Sequence, residues 1–243
     1  MDKNVVVITG ASSGVGKDIA LELGNRDNYN IVIVARNINK LKEIEERINE
    51  GEYYNSEAFA FQTDVGKEAD VVKLHNYLEK NFGKVNILIN NAGLGIFEPV
   101  TTLNTDDWDK MHNVMVKGTF LCCKYLIPLI LNASYEEKRH ILINSSYFGA
   151  EGRVSLCTSY IAAKFAQRGF AMSLREELRH QNIKVTCLLP GSIDTPFFDN
   201  TSWMHDPSRI LNSKELAKSF VDLLQYNSNF VVEEIAIQAI NPD

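Results

Sequence analysis

The chain has 243 residues, 45% hydrophobic and 23% charged, with a net charge of -6 and a pI near 5.5. That length suits one domain with a sizeable core, spanning residues 1–243. The negative charge argues against nucleic acid or an anionic membrane as the main partner.

The first predicted strand, Val5–Ile8, follows the N-terminus directly and runs into Thr9-Gly10-Ala11-Ser12-Ser13-Gly14-Val15-Gly16-Lys17. A helix is expected over Asp18–Leu23. Strand, glycine-rich turn and helix in this order form a phosphate cradle: glycines allow close backbone approach, and the helix N-terminus offers free N–H groups and partial positive charge. The spacing is GxxxGxG, and the Lys-Ser/Thr ending of a nucleotide-hydrolysing loop is absent. The cradle predicts contacts from Gly10, Ser12, Ser13, Gly14, Val15 and Gly16.

The second strand, Ile31–Val34, is followed by Ala35-Arg36-Asn37. An acid at its end would bind the adenosine ribose and select NAD. Arg36 can instead pair with a 2′-phosphate, which favours NADP(H). Lys17 is a second basic contact. Charged amphipathic stretches at Ile38–Glu50 and Lys67–Asn81 read as helices around a third strand, Ala58–Gln62. Further strands are predicted at Val85–Ile89, His140–Asn144 and Lys184–Leu189, with a last one within Phe230–Ile237. Strands apolar throughout, alternating with helices, predict an α/β fold with a doubly wound parallel β-sheet flanked by helices on both faces.

No run approaches roughly 18 apolar residues, so no transmembrane helix is expected. The first apolar run is too short for a signal-peptide core. Cys122, Cys123, Cys157 and Cys187 form no CxxC, and the five histidines form no HxxxH pair, so no metal site is expected. Reduced thiols and a cytoplasmic location follow. An irregular segment at about 191–212 follows the sixth strand, where open α/β sheets bind ligands. It reads as a substrate loop, closed by a helix cap at Asn212 to Glu215.

Tyr160 and Lys164 lie four apart, one helical turn, on a common face. The spacing alone is common. An ammonium beside a phenol favours phenolate, and the expectation is a Tyr160 pKa below about 10. Such a pair passes a proton to or from a carbonyl oxygen.

With both motifs in place the chain resembles the short-chain dehydrogenase/reductase family over nearly its full length. Asp64-Val65, Asn90-Asn91-Ala92-Gly93, Ser145-Ser146 and Pro190-Gly191-Ser192-Ile193-Asp194-Thr195 match further family motifs in order. The resemblance implies a Rossmann-type fold and a carbonyl reductase in which Tyr160 is the general acid. Lys164 would lower its pKa and hold the nicotinamide ribose. Ser146 would bind the substrate carbonyl, with Ser145 as the fallback. It also implies cofactor contacts from Arg36, Asn37, Asp64, Val65, Asn91, Ala92, Gly93, Pro190, Gly191, Ile193 and Thr195. NADPH would deliver hydride to a small-molecule carbonyl, or NADP⁺ would accept it from the alcohol in reverse.

Two departures stand out. Ser146 precedes Tyr160 by fourteen residues where the family has thirteen. Met115 occupies the position of the family's catalytic Asn, whose helix kink presents a main-chain carbonyl to a water in the relay to the Lys. This leaves open a catalytically impaired, NADP-binding regulatory or structural protein. The substrate wall is expected from Leu94–Phe97, Tyr147, Phe148, Phe197 and Trp203, with no Lys or Arg placed to grip a carboxylate, although Arg153 and Arg209 could move in. Two local stretches, 164–170 and 231–235, resemble bacterial sepiapterin reductases and name a pteridine side-chain ketone as a candidate. A 3-oxoacyl or other ketone is the alternative. The helices over 108–131 and 160–180 are those the family pairs into a homodimer, with a tetramer as a further option.

Overall fold

The computed structural model describes residues 3–26, 28–51, 55–152, 154–199, 209–226 and 229–241. Among these, seven strands form one sheet: β1 (Asn4–Thr9), β2 (Tyr29–Ala35), β3 (Glu57–Gln62), β4 (Ile87–Asn90), β5 (His140–Asn144), β6 (Lys184–Pro190) and β7 (Glu234–Ile237). Their spatial order is β3-β2-β1-β4-β5-β6-β7, and every pairing is parallel. The helices are α1 (Gly14–Gly24), α2 (Ile38–Asn49), α3 (Glu68–Phe82), α4 (Thr105–His112), α5 (Gly118–Leu131), α6 (Phe148–Glu151), α7 (Thr158–Leu178) and α8 (Ser213–Leu223). A π turn, Asn113–Lys117, joins α4 to α5.

Alternation along the central strands divides their side chains between two cores. Val5 and Val7 of β1, with Val32 and Val34 of β2, pack with residues of α3, α5 and α7. Val6, Ile8, Ile31 and Ile33 pack on the other face with residues of α1, α2 and α8. The apolar runs are therefore apolar because both faces are covered. The edge strands are the less buried ones, and β7 begins at Glu234, later than the apolar pattern suggests.

The helical stretch Thr105–Leu131 is long and apolar enough to cross a membrane by length and composition, which no unbroken apolar run in the sequence announces. Leu121, Cys122, Leu126, Leu129 and Ile130 are buried in the core, so the sheet accounts for much of that hydrophobicity. All four cysteines are free and buried. The strand order reverses between β1 and β4, the crevice where open parallel sheets bind ligands.

His140, at the start of β5, shows how burial enters stability. Thr186 Oγ1 donates to Val232 O (2.6 Å), so its contact with His140 Nε2 (2.8 Å) has the ring nitrogen as donor. Burial first, then Lys184 and Lys138, pushes the imidazole down to about 3. The unfolded chain takes up that proton near pH 6.5, the folded chain only near 3, so the stability held above 6.5 is lost as pH falls through this window. Between pH 7.5 and 5.5, urea unfolding should show a loss of about 1.4 kcal/mol in the wild type that His140→Gln lacks. Equal losses in both proteins would place the titration elsewhere.

Candidate active site

The carboxyl ends of β1, β2, β4, β5 and β6 surround one cleft of about 640 Å³. Its floor begins at the glycine turn. Gly10 has φ +67, and a Cβ there would lie 2.7 Å from the Ala92 Cα; a Cβ on Gly16 would lie 2.6 Å from the Gly10 carbonyl oxygen. Neither position tolerates a side chain without backbone movement. The turn after β4 is laced to the end of β1: Thr9 Oγ1 accepts from Asn91 N (3.0 Å) and Ala92 N (3.1 Å), and Asn91 Nδ2 donates to Thr9 O (3.1 Å). Ser13 is extended and its side chain does not cap α1. The first-turn N–H groups therefore keep their donor capacity for an anion. Gly10, Ser12, Ser13, Gly14 and Val15 line the cleft; Gly16 is buried behind them.

On the adenosine side the lining includes Arg36, Asn37, Asp64 and Val65. Asn37 caps α2 by accepting from Lys40 N (3.2 Å), and Asp64 Oδ1 accepts from Gly66 N (3.1 Å). The Arg36 carbonyl is held by Gln62 Nε2 (2.9 Å), while the side chain is exposed beside the cleft. A smaller hollow next to the cradle holds Lys17 together with Lys40, which sequence reasoning missed because a cation in a helix's first turn reads as an ordinary solvated residue.

Two cleft residues carry buried polar atoms without a hydrogen-bond partner, Thr63 Oγ1 and Asn144 Oδ1. With the glycine cradle and uncapped helix start, these fit a polar ligand with an anionic centre, as a nicotinamide dinucleotide is. Asn91, Ala92, Gly93, Pro190, Gly191, Ile193 and Thr195 also line the cleft.

The proton-handling group sits at the far end. Tyr160 and Lys164 lie in α7, 9% and 5% exposed, with Lys164 Nζ 5.6 Å from the Tyr160 ring centroid. Ser146 Oγ accepts from Phe148 N (3.2 Å), and its hydroxyl lies close enough to Tyr160 to favour the phenolate form. Ser145 is turned elsewhere, its hydroxyl donating to the Lys164 carbonyl (2.8 Å). The longer connection before Tyr160 thus leaves Ser146 in place. It contains α6, and Leu156 at φ +64.

The expected depression of the Tyr160 pKa is corrected by the structure. Burial pushes the phenol up, the nearby Ser146 hydroxyl only partly opposing it. Burial also pushes the Lys164 ammonium down to about 7. Desolvation of the charged form outweighs attraction between the two groups. At neutral pH the phenol carries its proton.

Lys164 Nζ donates to Asn144 O (2.8 Å) and Gln167 Oε1 (3.0 Å). Gln167 Nε2 donates in turn to the Met115 carbonyl (3.0 Å) and Thr119 Oγ1 (3.0 Å). Met115 is fully buried in the π turn, so the helix irregularity forms without an Asn there. Asn113 packs against Gly66.

An aromatic wall faces Tyr160. The Phe97 ring lies 5.5 Å from it edge-on, and the Phe197 ring 5.7 Å. Phe197 belongs to a 3-10 turn, Pro196–Phe198, in a loop whose ends are clipped by Leu211 N donating to Ser192 O (2.8 Å) and Asp194 N donating to Leu211 O (2.9 Å). Phe148 joins the apolar cluster around Met115 and Tyr160. Of the expected wall, Leu94, Gly95, Ile96 and Phe197 line the cleft itself, while Phe97, Tyr147 and Phe148 do not; the Tyr147 N–H donates to Pro190 O (2.8 Å) at the turn after β5. Trp203 and Arg153 lie outside the described residues. Lys110 lines the cleft with Val114, one turn on, so the expectation that no cation is placed there is corrected.

Residues 4–205 match the family model for the short chain dehydrogenase. The chain is 30% identical over 240 residues to an uncharacterized oxidoreductase of Staphylococcus saprophyticus, covering 99% of each. It is 29% identical over 241 residues to a 3-oxoacyl-[acyl-carrier-protein] reductase of Buchnera aphidicola, covering 96% of this chain and 94% of that one. Among solved structures it superposes on a 3-ketoacyl-(acyl-carrier-protein) reductase from Brucella melitensis complexed with NADH, with TM-score 0.86, 26% identity and 98% of both chains covered. An alcohol dehydrogenase from Thermococcus sibiricus complexed with 5-hydroxy-NADP shares the fold, with TM-score 0.89, 24% identity, and coverage of 100% of this chain and 99% of that one. The cradle, the parallel sheet and these matches agree: the chain belongs to the short-chain dehydrogenase/reductase family and is an oxidoreductase of the nicotinamide-dependent kind.

Proposed function

We propose that the chain is an NADPH-dependent reductase of a flat or aromatic ketone or aldehyde. The observation that carries this reading is the buried, protonated Tyr160 with Ser146 beside it, facing Phe97 and Phe197 at the end of a dinucleotide-sized cleft. The bound nicotinamide supplies the hydride. The protein's part is position and proton. Ser146 Oγ accepts from Phe148 N, and its O–H is available to donate to the carbonyl oxygen as charge develops there. Tyr160 then protonates that oxygen, and the Lys164 ammonium behind it steadies the phenolate left over.

The choice of NADPH rests on Arg36 in Ala35-Arg36-Asn37 after β2, a stretch with no acid to take the ribose 2′-OH; Lys17 and Lys40 share the neighbouring hollow with Asp18, Glu43 and Asp194. Arg36→Ala should weaken NADPH binding about 10–100-fold and leave NADH binding nearly unchanged, read by fluorescence titration of both. Equal loss for the two cofactors would refute the 2′-phosphate role. Within the carbonyl class, the aromatic wall and the local resemblance of 164–170 to sepiapterin reductases favour a pteridine side-chain ketone. A 3-oxoacyl thioester is the second reading, carried by the likeness to 3-oxoacyl-[acyl-carrier-protein] reductases.

A further inference from the structure

The Lys164 ammonium has three N–H bonds, and the protein holds two of them, on Asn144 O and Gln167 Oε1. Gln167 is 1% exposed, so its amide must be satisfied inside the protein. Its orientation is dictated by its neighbours. Thr119 Oγ1 donates to the Met115 carbonyl (2.6 Å), which leaves a Thr119 lone pair and a Met115 lone pair both facing Gln167. Both are acceptors, so the NH₂ end must point at them and the oxygen at Lys164. The flipped amide would set oxygen against oxygen and NH₂ against the ammonium. Four groups on three elements, Lys164 and Gln167 on α7, Met115 in the π turn and Thr119 on α5, thus form one network.

We propose that Gln167 is the positioning residue of Lys164, fixing the ammonium on the cleft side and tying it to the π turn by a bridge that does not conduct protons. This rests on the reductase reading for its kinetic consequence but not for its structural content. An amide accepts at oxygen and donates at nitrogen; passing a proton through it requires the unfavourable imidic acid. The route from Lys164 toward the Met115 carbonyl therefore ends at Gln167. Protons for Tyr160 enter from the cleft, through the third Lys164 N–H. In this chain an amide side chain on α7 meets the carbonyl that, in the resemblance above, is served by water.

Lys164 meets Tyr160 and Gln167 on α7, Asn144 and Ser145 at the end of β5, and Cys187 on β6. Tyr160 and Cys187 titrate, and burial pushes both up, so each is neutral where Lys164 titrates.

The test is a lysine ¹³Cε NMR titration of the cofactor-free protein. Gln167→Met keeps the length and apolar stem but removes the acceptor, and should lower the Lys164 pKa by about one unit. Gln167→Glu restores an acceptor and adds charge, and should raise it above the wild type. An unchanged Lys164 titration in both would overturn the proposal. In the wild type the Gln167 side-chain NH₂ should be protected from solvent exchange, and rapid exchange would overturn it without any variant. With NADPH and sepiapterin, Gln167→Met should lower kcat about 10–100-fold, leave KM within about twofold, and move the pH profile with the Lys164 titration. An unmoved profile would remove Gln167 from proton handling. If the NMR shifts occur and no protein turns over any carbonyl, the reductase reading fails and the positioning of Lys164 stands.

Discussion

Tyr160→Phe should reduce carbonyl turnover about 10³-fold while NADPH binds within a few-fold of wild type. The substitution removes one oxygen and keeps the ring, so the packing against Phe97 and Phe197 survives. What disappears is the buried phenolic proton beside Ser146. The buried phenol holds that proton firmly in the free protein, which suits an acid that must not lose it before an alkoxide forms. The size of the loss separates the two readings the sequence left open. A regulatory protein that binds NADPH without chemistry has no turnover to lose. Parallel binding titrations show whether the variant has merely unfolded.

Gly10→Ala should weaken NADPH binding on the order of 100-fold and lower folding stability by about 2–3 kcal/mol. Two separate penalties act at this position. The backbone is left-handed at φ +67, and the new methyl would meet the Ala92 Cα at 2.7 Å. Relief requires the β1 and β4 ends to part. That motion breaks the Thr9 and Asn91 hydrogen bonds which hold the cradle beside the rest of the cleft. Gly169 is the control: a Cβ there meets nothing within 4 Å, so Gly169→Ala should leave cofactor binding unchanged. Comparable loss in both variants would mean the cradle is not where the cofactor's phosphates sit.

The strands and the phosphate turn were legible because their signals are local. Val5–Ile8 followed by Gly10, Gly14 and Gly16 needs only nearby residues to be read. The Tyr160–Lys164 pair was visible for the same reason, being one turn of one helix. Its electrostatics were not. Spacing shows that an ammonium is near a phenol but not that both are buried, and burial reversed the expected shift. Gln167 was missed because its meaning depends on Met115 and Thr119, about fifty residues earlier, across a helix contact. Lys110 was passed over because an exposed Lys on a charged helix carries no signal until the cleft is seen beside it. Tyr147 and Phe148 were expected on the wall, but neither lines the cleft itself. Ser146 was chosen over Ser145 by family likeness, and the structure separates them by where each hydroxyl goes.

Hydride transfer itself is the central claim, and isotope tracing reads it directly. The protein is incubated with NADPH deuterated at the nicotinamide C4 and a panel of ketones including sepiapterin, and the products are analysed by mass spectrometry. The account predicts an alcohol carrying deuterium on its carbinol carbon, formed with NADPH in preference to NADH and lost with Tyr160→Phe. Tight NADPH binding with no labelled alcohol from any carbonyl in the panel would contradict it.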